Sequence, residues 1–220
     1  MPITIGTLSC RLFRVDGKPP TNFRDTYPLQ IKRYAYHPPK VEEGEMRSMG
    51  WVNPRRILHT DMTLDEVLLD EWLILALRID KITLNGRLFK ARVFEEMDRV
   101  RKEKQRDRLS RDERVALQNQ VQMEMAKRQT PSTAIQEMAW NLRSGQVVFT
   151  ATGDKLCLEF QEYFSETFSL ALEPLCPYIR AEVVARNRSL QSELLSSQPA
   201  AFSSRSIVVA GSPVAELESE

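Results

Sequence analysis

Apolar residues along this chain fall into short alternating runs and longer helical stripes, and the switch between the two periods marks the elements. Ile3, Ile5, Leu12, Phe13 and Val15 outline a first strand over Ile3–Val15, which stops at Asp16-Gly17. Phe23, Tyr27, Ile31 and Tyr34 share one helical face within Thr21–Tyr36, with Pro28 in the middle and His37-Pro38-Pro39 at the end. Met49–Pro54 reads as a compact aromatic turn or short strand, and Thr63-Leu64-Asp65-Glu66 as the opening of a helical turn. Within Glu71–Leu84, Trp72, Leu73, Ile74, Leu75, Ala76, Leu77 and Ile79 are apolar with little alternation, as in a strand buried on both faces. Asn85-Gly86 then ends the strand and launches a helix.

That helix opens the most unusual stretch. Phe89, Val93, Met97 and Val100 recur at helical spacing, and then Arg101–Arg108 contains no apolar residue at all. A helix polar on every side must face water or a charged partner. Ser110-Arg111-Asp112-Glu113 is a capping box, with Ser110 as N-cap and Glu113 at N3, so a second helix starts there. Leu117, Val121 and Met125 give it an apolar stripe, and Thr130-Pro131 follows its end. The pattern predicts a helical hairpin protruding from a sheet, its tip rich in guanidinium groups.

Ile135–Leu142 and Val147–Ala151 flank Arg143-Ser144-Gly145-Gln146 as a β-hairpin with a glycine-containing loop. Gly153-Asp154 starts a further helix with Asp154 as its expected N-cap, and Leu156, Phe160, Phe164, Phe168 and Ala171 form its inward face up to Pro174 and Pro177. Later residues turn to Ser, Gln, Ala and Pro, and Ile207-Val208-Val209 is an isolated apolar run. The predicted fold class is α+β: a mixed or antiparallel sheet with packed helices and a protruding charged helical hairpin. Its expected organisation is a central domain of residues 1–85 and 132–178, a helical arm of 86–131 and a flexible tail of 179–220.

Charge sharpens this picture. With 42% hydrophobic and 28% charged residues the chain is an ordinary globular protein, and a net charge of +1 excludes a wholly basic, histone-like one. The distribution is polarised. Arg87–Arg128 carries 13 Lys/Arg against 8 Asp/Glu, net +5, and residues 1–40 carry 7 against 2, also +5. Residues 41–86 and 129–220 are net −4 (5 against 9) and −5 (6 against 11). Local basicity of this kind is what a polyanion senses.

Chemistry for catalysis is missing from the pattern. His37 and His59 stand in no metal or general-base motif and read as exposed loop residues. Neither GxxxxGK[ST] nor GxGxxG nor GxSxG occurs, and the carboxylates Asp65-Glu66, Asp70-Glu71 and Asp80 fit no two-metal spacing. Cys10, Cys157 and Cys176 are odd in number and widely spaced, as in a reduced cytosolic protein without zinc or a disulfide framework. There is no signal-peptide pattern and no apolar run long enough for a bilayer. The expectation is a non-enzyme with no cofactor, no metal, no small-molecule substrate and no membrane partner.

Several residues together resemble the bacterial recombination-associated protein RdgC family. They are Met46–Val52 (Met-Arg-Ser-Met-Gly-Trp-Val), Lys81-Ile82-Thr83-Leu84 running into the Lys/Arg/Glu-rich helical pair, Trp140-Asn141 in the next strand, and Gly145 in its turn. The resemblance covers approximately residues 3–178 in one order of elements. It implies a homodimer that binds DNA without sequence preference, duplex favoured, through the basic inner surface of a ring or horseshoe, and that restrains the RecA recombinase by competing for DNA. It also implies that Arg87–Arg128 is the family's arm, which contributes to dimer contact, and that the protein works in the cytoplasm at the bacterial nucleoid. The chain departs from the family's pattern in its C-terminal part, where a short tail stands in place of a further ring-closing domain, so an open clamp or another dimer mode is the alternative to a closed ring.

The candidate phosphate contacts follow from charge and exposure, since phosphate binding needs a basic surface and no base-reading geometry. They are Arg11, Arg14, Arg24, Lys32 and Arg33 near the start, Arg55 and Arg56 on a turn after Pro54, and Arg99, Arg101, Lys102, Lys104, Arg106 and Arg108 on the arm. Leu109, Val115, Leu117 and Val121 are candidate dimer-interface residues, and Trp51 and Trp140 read as core, not as stacking platforms. A different class of function stays open beside DNA binding: a protein-interaction or dimerisation module that uses the charged arm without nucleic acid.

Overall fold

The computed structural model describes residues 8–198, which divide into two units between Leu175 and Cys176. The first unit is α+β, as the sequence pattern predicts. Its strands are β1 (Arg11–Asp16), β2 (Arg47–Val52), β3 (Leu68–Leu69), β4 (Trp72–Lys81), β5 (Ser132–Asn141), β6 (Gln146–Phe149) and β7 (Ala171–Pro174). Every strand pair is antiparallel, in the order β2-β4-β5-β6-β1-β7, with β3 folded back on β4. Its helices are α1 (Phe23–Arg33), α2 (Leu64–Val67), α3 (Gly86–Lys104), α4 (Arg111–Lys127) and α5 (Asp154–Phe168).

One face of the sheet carries the core. Register places Trp51 beside Leu77, Leu75 beside Met138, Trp140 beside Val147 and Val15 beside Leu172 on that face. Phe160, Phe164 and Phe168 of α5 and Tyr27 and Ile31 of α1 cover it. Phe160 stacks on Phe149 with ring centroids 3.8 Å apart, and Trp140 meets Phe164 edge-on at 5.1 Å. Trp51 and Trp140 are fully buried, and each such large side chain contributes about 1.5–3 kcal/mol through burial. Trp51 Nε1 donates to Thr167 Oγ1 at 2.9 Å, so its one polar atom is satisfied.

The opposite face holds a smaller, polar cluster. Asp80, 2% exposed, accepts from Tyr36 Oη at 2.6 Å and from Arg78 Nε and Nη2 at 3.0 and 2.7 Å. The Arg78 guanidinium also lies 4.2 Å from the Tyr36 ring centroid. Burial alone would raise the Asp80 carboxyl; hydrogen bonds from Arg78, Tyr36 and Thr133 overcome it, and the net direction is down. The same burial, with the Asp80 contact, pushes Tyr36 up to about 12.

Several boundaries differ from the sequence reading. The α5 N-cap is Gly153, and Asp154 is the first helical residue, its carboxylate turned to Arg11. The helix stops at Phe168, with Ser169 in the left-handed region (φ 56°), and β7 follows where the pattern put only a helix end. Proline misled the reading here. Pro174 lies on the edge strand, where a missing N–H breaks no ladder, and Pro177 is the first residue of a new helix. In the second unit, α6 (Pro177–Arg188) and α7 (Gln191–Ser196) are helical, where the sequence pattern suggested no further elements. Ile3, Ile5 and Ile207–Val209 lie outside the described residues.

Candidate nucleic-acid interface

The arm is the connection between the two longest strands. Lys81 at the end of β4 pairs with Ser132 at the start of β5, and the helical pair leaves and returns between them. Asn85 caps α3 by accepting from the backbone N–H of Arg87 and Leu88 at 3.0 and 3.2 Å. A run of 19 residues at 1.5 Å each carries α3 about 28 Å along its axis. Gln105 ends it in the left-handed region (φ 49°), and the predicted capping box restarts the chain: Glu113 N–H donates to Ser110 Oγ at 3.1 Å, and Ser110 N–H donates to Glu113 Oε2 at 2.9 Å. Lys104 Nζ sits 2.6 Å from Glu113 Oε1 and ties the helices together at the tip. Lys104 and the Ser110 backbone pull the Glu113 carboxyl down to about 2. At the other end α4 rests on the turn Val41–Glu43, where Lys127 pairs with Glu42 at 2.9 Å.

This scaffold sorts the candidate cations into two groups. Arg11 faces Asp154 at 2.5 Å, Arg14 faces Glu173 at 3.2 Å and Lys32 faces Asp61 at 2.9 Å. On the arm, Arg99 pairs with Glu96 and, at 3.7 Å, with Glu103; Arg101 pairs with Asp98 at 3.4 Å, and Lys104 with Glu113. Surface pairs of this kind are worth only about 0–1 kcal/mol, yet a phosphate must displace the carboxylate to use them. The remaining candidates have no ion-pair partner among the described residues. Arg24 and Arg33 lie 5.7 Å over the rings of Phe23 and Tyr34. Arg55 and Arg56 are exposed on one loop, and Lys102, Arg106 and Arg108 are exposed at the arm's tip.

No protein-family model matches this chain, and no curated protein matches it.

Sequence reasoning passed over Arg111, which is exposed at the first position of α4, three residues after Arg108. A cation at a helix N-terminus opposes the helix dipole, so its place there is not explained by helix stability. It also passed over Ile57 and Leu58, apolar side chains directly after Arg55-Arg56 that are 39% and 79% exposed. Their spacing forms no periodic pattern, so hydropathy alone gave no signal for them.

The candidate dimer residues do not act as a set. Leu109 and Val121, expected at a dimer interface, are 7% and 6% exposed within the single chain. Packing of α3 on α4 consumes the apolar stripe, as it does for Val93 and Ala126. Leu117 is half-buried, and Val115 is exposed. Leu88 and Phe94, at 51% and 62% exposure, are the outward apolar residues of α3. Among the described residues no helix is long and apolar enough to cross a membrane, and no group of His, Cys, Asp and Glu is arranged to hold a metal ion.

Proposed function

We propose that this chain is a non-catalytic DNA-binding protein that occupies duplex DNA without reading its sequence, acts as a homodimer at the bacterial nucleoid, and thereby restrains a RecA-type recombinase. The observation that carries the reading is the separation of cations. Arg55 and Arg56 on one loop, and Lys102, Arg106 and Arg108 at the tip, are exposed and without a carboxylate partner among the described residues. Free guanidinium groups on fixed backbone are what phosphate contacts require, and they position a protein on a duplex without specifying bases. The restraint of recombinase and the nucleoid setting rest on the resemblance to the RdgC family.

A second reading is favoured by Phe94 and Val115: exposed apolar residues on the arm suit a helix–helix contact with a second copy or another protein. The two readings respond differently to salt. Fluorescence anisotropy with unrelated 30-base-pair duplexes should give similar affinities without a single recognised sequence, falling steeply between low and moderate salt. Absence of binding at low salt would remove the DNA reading and leave the arm as a protein contact.

A further inference from the structure

The loop that carries Arg55 and Arg56 is tied down by Asn53 and by its own backbone bonds. Asn53, itself 5% exposed, turns its Oδ1 to accept from Arg55 N–H at 2.9 Å and Arg56 N–H at 3.2 Å. Backbone bonds close the loop: Arg56 N–H to Asn53 O at 3.1 Å, His59 N–H to Arg56 O at 2.8 Å, and Asn53 N–H to His59 O at 3.1 Å. Arg78 reaches from the buried Asp80–Tyr36 cluster and donates to Ile57 O at 3.4 Å. Every one of these bonds fixes the backbone, and none restrains the four side chains Arg55, Arg56, Ile57 and Leu58.

Those side chains form an odd combination for a surface. Leu58 is 79% exposed, more so than Leu29 or Phe94, and it follows two free arginines. An apolar side chain in that position loses by facing water, and no core contact accounts for it. Proteins that bend DNA use this pairing: an apolar wedge enters a base step from the minor groove while flanking arginines hold the phosphates. The unstacking cost falls on the wedge, so the wedge has to be held on backbone that is tied down.

The geometry points to Leu58, with Ile57 beside it, as a wedge that enters the minor groove of duplex DNA and kinks it, with Arg55 and Arg56 on the flanking phosphates. This deepens the DNA-binding reading above and rests on it. The wedge adds a preference for deformable or already unstacked steps, which phosphate contacts alone do not give.

The test uses the full chain and a duplex labelled at both ends for resonance energy transfer. Wild type is expected to bend the duplex, by roughly 20–90° for side-chain wedges, and to bind a duplex with a central mismatch more tightly than an intact one. Leu58→Ser, at a site too exposed to affect folding, should abolish both the bend and the mismatch preference and leave the salt dependence of binding unchanged. Binding of wild type without any bend, or a Leu58→Ser protein that bends like wild type, overturns the wedge while the DNA reading stands. Failure of wild type to bind DNA at any salt overturns both. Co-sedimentation with vesicles containing one-third phosphatidylserine supplies the last arm: vesicle binding lost in Leu58→Ser, with DNA bending intact, assigns the loop to an anionic lipid surface and overturns the proposal.

Discussion

At the scale of single residues, Gly50 marks the place where two backbones cross. A Cβ on Gly50 would overlap the Cα and N of Tyr36, because residues 34–36 run along the outer edge of β2. Trp51 N–H donates to Tyr34 O and Tyr36 N–H to Trp51 O, each at 3.0 Å, so the edge of the sheet is closed by this segment. Tyr163 Oη adds a bond to Tyr34 O at 2.7 Å from α5. Gly50→Ala should therefore cost about 3 kcal/mol, the upper range for overpacking, read as a lowered midpoint in urea. An unchanged midpoint would mean that the crossing relaxes freely. The Met-Gly-Trp-Val motif is thus explained residue by residue: Met49 and Trp51 face the core side, and Gly50 admits Tyr36. The sequence exposed the motif but not its cause, because the partner segment lies far enough away that only the fold brings it there. The Arg78–Asp80 pair was hidden for the same reason, since alternation marks a face without saying that a buried charge on it will be matched.

At the scale of elements, the helical pair is the part most legible from sequence. The Asn85 cap, the Ser110–Glu113 capping box and the 3.6-residue stripe are local signals, and local signals survive folding. Less legible was which side of the stripe faces inward, because Leu109, Val115, Leu117 and Val121 look alike until α3 supplies the opposing surface. The tip has a pH dependence of its own. Glu113 is held at about 2, below its ordinary value of 4.5, by Lys104 and Ser110. Its folded state therefore binds protons less readily than the unfolded one. The stabilisation is complete above about pH 4.5 and is lost as pH falls towards 2. Amide exchange in Ser110–Arg114, followed by NMR, should speed up on acidification through that window relative to amides of β4. Glu113→Gln should give the faster exchange at neutral pH and remove most of the acid dependence; exchange insensitive to both would rule out the charged Lys104–Glu113 contact as the tip's fastener. Strand β7 and helix α6 escaped prediction because proline reads as a breaker in sequence, while an edge strand and a helix first turn both accept it.

At the scale of the molecule, composition concealed what distribution shows. A net charge of +1 describes the whole chain, and pairing divides its cations into those held by neighbouring carboxylates and those left free. Five of the free ones, Arg55, Arg56, Lys102, Arg106 and Arg108, sit on two supports, a loop held by Asn53 and Arg78 and a tip held by Ser110 and Glu113. If these are phosphate contacts, each one lost should reduce the slope of log affinity against log salt by about 0.9. The most direct test is therefore the salt dependence of duplex binding for three proteins: wild type, Arg55→Ala with Arg56→Ala, and Lys102→Ala with Arg106→Ala and Arg108→Ala. The slope should fall by about 2 in the loop variant and about 3 in the tip variant, equally for every duplex sequence. Slopes and affinities identical to wild type in both variants, with the fold intact by circular dichroism, would contradict the assignment of these cations to DNA.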